Sequence, residues 1–167
     1  ILIPVIAMGA DVAFTPGPKL AQAVRTRAAV EALRVPDPHE SMGFVLDAVR
    51  MLRTALPPGV PLIGFAGAPL TMASYLVEGG GSRNLANVKA LMYTDPDTAA
   101  LLLDRCAATV ARHLTEQIRA GAQAVMLFDT WAGLLSPADI DGFAVPYARQ
   151  VFDTIRAALG PEAARVP

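Results

Sequence analysis

The sequence has few of the features expected of a secreted, membrane-bound or nucleic-acid-binding protein. Cys106 is its one cysteine, so no internal disulfide can form, and a lone thiol fits a reducing compartment such as the cytoplasm. Charged residues make up only 17% of the chain and the formal net charge is −1, so there is no basic field to attract nucleic acid or an anionic membrane. No apolar run reaches the roughly 18 residues of a membrane-spanning helix.

The sequence also has few residues that could bind a metal or act as a catalytic nucleophile. The two histidines, His39 and His113, fall in predicted helices without a partner at metal-ligand spacing, and we expect both to be ordinary surface or helix-end residues. Cys106 lies in an apolar helical stripe, which is typical of a small core residue. No Ser-His-Asp or Cys-His arrangement can be proposed from these residues.

The sequence does contain apolar segments whose spacing predicts alternating helices and strands. Hydrophobic residues make up 53% of the 167 residues, enough for the core of one domain. Short apolar runs at 61–66 and 123–128 predict strands that are buried on both faces of a parallel sheet. Helices are predicted to start at Asp37, Asp95 and Ser136, each a capping residue followed by proline.

The order of these elements predicts an α/β fold with successive β-α units in a parallel sheet or barrel. Segment 19–36 is expected to be irregular with one helical turn, Pro146 to kink or restart the last helix, and 164–166 to open a further strand. A complete (β/α)8 barrel takes about 250 residues, so this chain would supply a minority of one. Because the chain starts in apolar residues at Ile1 and stops at Pro167, we expect both ends to lie inside a longer fold.

The active site of a parallel α/β fold lies at the carboxyl ends of the strands. The residues at or shortly after the two predicted strand ends are Phe65, Tyr75, Phe128, Asp129, Thr130 and Trp131. This set is aromatic and has few ionisable groups, so it suits a large, flat organic ligand better than a phosphate. Asp129 is either a catalytic acid or base, or a structural carboxylate, which the pattern favours. Thr130 would bond a ligand or its own backbone, and Trp131 is expected to pack.

Three consecutive glycines at 79–81 resemble a phosphate-binding loop only in composition. No Gly-Lys-Ser/Thr comes after them, and the segment does not join a strand directly to a helix. We expect a turn that allows two chain segments to approach closely.

The segment 61–82, PLIGFAGAPLTMASYLVEGGGS, closely resembles a signature stretch of the uroporphyrinogen decarboxylase family. Segment 121–133 is similar to the family's later strand and loop, and segment 1–9 is similar to the stretch directly after the family's catalytic aspartate. The resemblance covers essentially the whole chain, most weakly at 19–36. It implies a partial (β/α)8 TIM barrel with only the middle β-α units present, as a single incomplete domain over residues 1–167.

The resemblance implies a decarboxylation that uses no cofactor. Members of the family convert the four acetate side chains of uroporphyrinogen III to methyls, which gives coproporphyrinogen III in haem biosynthesis. Loss of carbon dioxide leaves a carbanion, and prior protonation of the pyrrole ring would supply the electron sink that a cofactor supplies elsewhere. The implied partners are the small tetrapyrrole substrate and, in the full-length protein, a second subunit of a homodimer. Neither nucleic acid nor a membrane is implied.

The family's site residues carry over onto four positions. Tyr75 is the catalytic polar aromatic near the reacting arm, Phe65 and Phe128 line the cleft, and Thr130 stands where the family has a Ser or Thr that touches substrate. The family's central aspartate is expected directly before Ile1, and its cationic and histidine site residues lie outside the chain. We therefore expect the chain alone to be inactive.

Two other functions remain open from the sequence. A corrinoid-linked methyltransferase of the same barrel superfamily would bind zinc through His and Cys ligands, some of them past residue 167. The glycine loop Glu78–Ser82 favours the decarboxylase over that enzyme. Alternatively, the chain is a truncated product that only packs or associates through exposed strand edges and uncovered helix faces.

Overall fold

The computed structural model describes residues 1–14 and 16–167. The α-helices are α1 (Ile3–Ala7), α2 (Arg27–Ala32), α3 (Pro38–Ala55), α4 (Pro69–Glu78), α5 (Ala86–Thr94), α6 (Pro96–Arg119), α7 (Pro137–Asp139) and α8 (Val145–Leu159). The strands are β1 (Val12–Ala13), β2 (Lys19–Leu20), β3 (Ile63–Gly67) and β4 (Ala124–Phe128). None of the helices in these two ranges is long and apolar enough to cross a bilayer.

The two predicted apolar strands pair with each other. β3 and β4 form a parallel sheet in which Phe65 lies opposite Met126 and Gly67 opposite Phe128. Helices α4, α5 and α6 lie between them along the chain, as a parallel connection requires. The predicted α/β fold with a parallel β-α-β unit is therefore confirmed.

Helix α6 forms the centre of the hydrophobic core. Asp95 caps its start by accepting a hydrogen bond from the Thr98 N–H at 3.1 Å, and Pro96 occupies the first turn. The helix packs against α4, α8 and β3, and its buried stripe includes Leu103, Cys106, Val110 and Leu114. The expectation that Cys106 is a core residue is confirmed, and its complete burial raises the pKa of the thiol.

Helix α3 starts as predicted and buries Met42 and Val49, which recur at helical spacing in the sequence. The Asp37 carboxylate accepts from the His39 N–H at 2.7 Å. Non-helical backbone at Met42, with φ −136°, kinks the helix after its first turn. Leu52 lies three residues after Val49, at the same helical spacing, but it is 49% exposed. The aliphatic stem of Arg53 lies against Gly121 instead.

Arginine side chains fix the irregular chain before α3. Arg25 donates from Nε to the Val77 carbonyl at 2.8 Å, and Arg34 donates from Nε to the Ala7 carbonyl at 2.8 Å. Thr26 caps α2, which supplies the helical turn expected in 19–36. Long-range bonds of this kind are hard to read from sequence because arginine is compatible with many partners.

Two expectations near the chain's carboxyl end have opposite outcomes. A π-helical segment, Ile140–Ala144, precedes α8, and Pro146 lies in the first turn of α8, so the restart of this helix is confirmed. The expected strand opening at 164–166 is wrong, because Gly160–Arg165 forms a 3₁₀-helix. The Pro167 carbonyl alone joins the sheet, accepting from the Val125 N–H at 3.1 Å.

The prediction for one of the two histidines is wrong. His39 lies exposed at the start of α3, as expected. His113 lies in the middle of α6, where it is only 4% exposed, and its Nδ1 has no hydrogen-bond partner among the described residues. Burial lowers the pKa of His113 to about 4, because the charged imidazolium would lose its hydration.

Candidate functional site

Phe65 and Phe128 form the centre of the candidate site. Their rings meet edge to face, with centroids 5.7 Å apart and an interplanar angle of 83°. The parallel register explains the contact, because alternate residues of paired strands share one face of a sheet. Two residues that the sequence predicted for the cleft are thus brought together.

The face that carries these rings is open and apolar. Its side chains are Ile63, Phe65, Met126 and Phe128, which are between 41% and 50% exposed. The opposite face is covered, since Ala66 is buried and Val125 and Leu127 pack against the main core. The sheet therefore presents a contiguous apolar surface on one side only, which is typical of a ligand site or a packing interface.

Asp129 follows β4 and bonds to the first turn of α4. Thr71 donates its hydroxyl to Asp129 Oδ1 at 2.7 Å, and the Trp131 N–H donates to the same Thr71 oxygen at 3.4 Å. Ala68, at the N-cap of α4, has no side chain that could cap the helix. Burial raises the pKa of Asp129, while the bond from Thr71 acts in the opposite direction. This geometry agrees with the structural interpretation of Asp129.

Tyr75 follows Thr71 by one helical turn, and Thr130 directly follows Asp129. Tyr75 is half-buried on α4, one turn beyond Thr71, and its ring contacts Trp131 with centroids 4.9 Å apart. Trp131 is buried, so its expected packing role is confirmed. Thr130 is exposed in the turn after Asp129. The ring contact of Tyr75 is thus with Trp131 and not with the two phenylalanines.

The glycine loop approaches the β1–β2 hairpin closely. Gly79 ends α4 with a φ of +78°, and Gly80 pairs with Lys19. A Cβ on Gly80 would lie 3.0 Å from the Pro18 carbonyl oxygen. The expected close approach of two chain segments is confirmed.

Glu78 joins the glycine loop to the start of α5. Its Oε1 accepts from the N–H groups of Asn87 and Val88, each at 3.0 Å, in the first turn of α5.

Within residues 1–14 and 16–167, the His, Cys, Asp and Glu side chains form no group of three that could hold a metal ion.

Comparison with known proteins identifies the family. The family model described as "Uroporphyrinogen decarboxylase (URO-D)" matches residues 1–166. The chain belongs to the uroporphyrinogen decarboxylase family. The family resemblance of the two strand-and-loop segments is thereby confirmed.

Several proteins named uroporphyrinogen decarboxylase are similar to this chain over most of its length. The uroporphyrinogen decarboxylase of Citrifermentans bemidjiense is 48% identical over 153 residues, which is 92% of this chain and 45% of that protein. The enzyme of the same name from Geobacter metallireducens is 48% identical with the same coverage. That of Sodalis glossinidius is 47% identical over 88% of this chain and 42% of its own length. The chain spans just under half the length of these relatives.

A solved structure shares the fold. A methyltransferase from Methanosarcina mazei superposes with a TM-score of 0.76 over 93% of this chain and 46% of that protein, at 20% identity. Identity this low shows the fold alone. The sequence relatives carry the uroporphyrinogen decarboxylase name, so the methyltransferase alternative is the weaker one.

Sequence reasoning missed two residues that organise the site. Thr71 would have been suggested by its place in the first turn of a helix whose N-cap residue cannot cap it. Gln117 bonds the main chain of Phe65 from the last turn of α6. Its one sequence signal is its position three residues after Leu114, on the apolar stripe of α6.

Proposed function

We propose that these residues are the middle part of a uroporphyrinogen decarboxylase that removes carbon dioxide from the acetate arms of uroporphyrinogen III, giving coproporphyrinogen III. Membership of the family and 48% identity to proteins of that name support the activity. The single structural observation that carries it is the open aromatic face of β3 and β4, on which the Phe65 and Phe128 rings meet. A broad, flat substrate needs such a wall.

The proposed roles follow the chemistry of each side chain. Phe65 and Phe128 pack against a face of the tetrapyrrole. Their rings carry no hydrogen-bonding group, so they leave the pyrrole N–H groups free for other partners. Tyr75 directs its hydroxyl toward the reacting acetate arm, and the Trp131 ring supports it from the side. Thr130, exposed in the turn after β4, offers a hydroxyl to the substrate's polar edge. The substrate's own protonated pyrrole supplies the electron sink, so no cofactor is required.

We also propose that the β3–β4 sheet is one segment of a (β/α)8 barrel. In such a barrel the helices cover the outer face of the strands, as α6 does here, and side chains fill the inner face. The exposed row of Ile63, Phe65, Met126 and Phe128 corresponds to that inner face. The side chain of Ile1 lies against Gly67, so the family's aspartate, expected before Ile1, would stand at the carboxyl end of β3.

We propose that the full-length protein is a homodimer located in the cytoplasm. One buried cysteine is compatible with a reducing compartment. Light scattering of the full-length protein tests the dimer directly, and a monomer at micromolar concentration would contradict it.

The activity is tested with the full-length protein and the 167-residue chain in parallel. Each is incubated anaerobically with uroporphyrinogen III, and the products are oxidised and separated by fluorescence-detected chromatography. We expect coproporphyrin from the full-length protein and none from the chain alone. Absence of product from the full-length protein would refute the proposed function, and zinc bound at one equivalent would favour the methyltransferase. Product from the isolated chain would show that the expected inactivity is wrong.

A further inference from the structure

Met126 lies on the open face of the sheet, next to both phenylalanine rings. It is the residue of β4 that pairs with Phe65 on β3, and it lies two positions before Phe128 on its own strand. Alternate residues of a strand point to the same face, so the Met126 side chain shares its face with both rings. It is 44% exposed, whereas Val125 and Leu127 on either side of it pack against the main core. Met126 is therefore part of the candidate site, although the sequence did not predict it.

The two rings meet on the carboxyl side of Met126. Met126 is the register partner of Phe65, but the Phe65 ring meets the ring of Phe128, with centroids 5.7 Å apart. Neighbouring strands lie about 4.8 Å apart and alternate residues of one strand about 6.6 Å apart, so the Met126 side chain is within reach of this ring pair. Gly67, the residue of β3 opposite Phe128, adds no side chain to the face. Of the side chains of these two strands, only the ring pair therefore lies between Met126 and the carboxyl ends.

This arrangement does not depend on the outer edges of the two-stranded sheet. In a complete barrel, further strands would pair with those edges, while the pairing between β3 and β4 is internal and runs over five residue pairs. Barrel strands direct alternate side chains inward, where they stack in layers, and the active site lies over the layer at the carboxyl ends. Phe128 belongs to that upper layer, and Met126 belongs to the layer directly below it. Met126 would then form the floor of the cleft that the two rings line.

The side chain of methionine suits such a floor. It is unbranched and ends in a polarizable thioether, so it adapts its shape to an irregular apolar surface. Its sulfur also contacts the edges of aromatic rings favourably, and the pyrrole rings of the proposed substrate are suitable partners. A flexible tetrapyrrole presents these rings at varying angles, and a stiff β-branched side chain would fit fewer of them.

We infer that Met126 is a further substrate-contacting residue, which forms the floor of the cleft beneath Phe65 and Phe128 and sets how deeply the tetrapyrrole enters. The inference rests on the proposed function for the identity of the substrate, and on strand register and exposure for the position of Met126. The alternative is that Met126 only fills the interior of the complete barrel. The two differ in whether the methyl group of Met126 touches the bound substrate.

The contact is tested in the full-length protein with ¹³C in the ε-methyl groups of its methionines. Uroporphyrinogen III is added under anaerobic conditions, and because its product keeps the macrocycle, turnover during the measurement does not remove the signal. Met126→Leu assigns the resonance, since this change keeps the apolar volume of the side chain. Met51, which is 72% exposed on α3, provides the control methyl. We expect the Met126 signal to shift and to show nuclear Overhauser contacts with the macrocycle, and the Met51 signal to do neither.

Met126→Phe tests whether this residue sets the depth of the cleft. The larger and stiffer side chain would raise the floor, so we expect the KM for uroporphyrinogen III to rise about tenfold while kcat changes by less than about twofold, as for binding that ground state and transition state share. Met51→Phe makes the same change on α3 and should leave both constants unchanged. If Met126→Phe does not fold, Met126→Leu carries the comparison, with an expected rise in KM of about threefold.

The outcomes separate the inference from the proposed function. Binding of uroporphyrinogen III that leaves the Met126 methyl unmoved would overturn the inference alone, and so would a KM that stays at the wild-type value in the folded variants. If the wild-type full-length protein neither binds nor converts uroporphyrinogen III, the proposed function fails, and the substrate contact of Met126 fails with it.

Discussion

Thr71 and Asp129 join the two carboxyl ends of the parallel sheet through one hydrogen bond of 2.7 Å. Thr71 lies in the first turn after β3, and Asp129 is the residue directly after β4. The same Thr71 oxygen accepts from the Trp131 N–H, and the Trp131 ring supports Tyr75. The position of the proposed catalytic tyrosine thus depends on a carboxylate that does not contact it.

Replacing Thr71 with valine should loosen this junction while keeping the shape of the side chain. The Asp129 carboxylate and the Trp131 N–H would each lose a partner, and we expect the free energy of unfolding to fall by about 1–2 kcal/mol. Trp131 is the one tryptophan of the chain, so its emission reports the change directly. A Thr71→Val protein with wild-type emission and stability would show that the bond does not hold the loop.

Asp129→Asn should alter how stability depends on pH. Burial raises the pKa of Asp129, so the folded protein holds this proton more tightly than the unfolded chain does. The resulting stabilisation is complete below the ordinary carboxyl pKa and is lost as pH rises through the raised value. Asparagine stays neutral and can still accept from Thr71, so the variant should be at least as stable as the wild type at pH about 7, with the difference shrinking toward pH about 4.

Urea unfolding followed by Trp131 emission across this range measures the difference. Asp47→Asn removes an exposed carboxylate that pairs with Arg50 on the surface of α3, and it should change stability by no more than about 0.5 kcal/mol. Equal pH profiles for Asp129→Asn and the wild type would mean that the Asp129 carboxylate is not desolvated in solution.

The sequence predicted the two strands because their patterns are local, but the prediction that both faces of the sheet are buried is wrong, since the face of Phe65 and Phe128 is open. The run 124–128 is apolar throughout, and capped helix starts such as Asp95-Pro96 depend on residues a few positions apart. The junction between Thr71 and Asp129 joins residues 58 positions apart, and no local pattern encodes it. The same holds for Gln117, whose partner Phe65 lies 52 positions away.

Two of the errors lie at the ends of helices. Leu52 continues the helical spacing of Met42 and Val49, which are buried, but it is itself exposed near the end of α3. Val166 is extended, but the 3₁₀-helix before it takes up the residues expected to begin a strand. Before Val166, tertiary packing decides which of two locally acceptable conformations is adopted.

His113 should make the protein less stable in mild acid. Its pKa of about 4 in the fold lies below the ordinary value of 6.5, so between these values the unfolded chain binds a proton that the folded protein does not. Stability is therefore retained above pH about 6.5 and lost as pH falls toward 4, by roughly 3 kcal/mol in total. His113→Leu should flatten this slope in urea titrations between pH about 7 and about 4.5. An unchanged slope would assign the acid sensitivity to other groups.

Tyr75→Phe should separate chemistry from folding at the proposed site. The substitution keeps the ring that packs on Trp131 and removes the hydroxyl alone, so the free energy of unfolding should stay within about 0.5 kcal/mol of the wild type. If that hydroxyl acts on the reacting arm, turnover of the full-length protein should fall by about 100-fold with a smaller change in KM. Tyr93→Phe, on α5, removes a hydroxyl that bonds Asp139 away from the sheet and should leave turnover unchanged. A Tyr75→Phe enzyme with wild-type turnover would remove this tyrosine from the chemistry and leave it as a packing partner of Trp131.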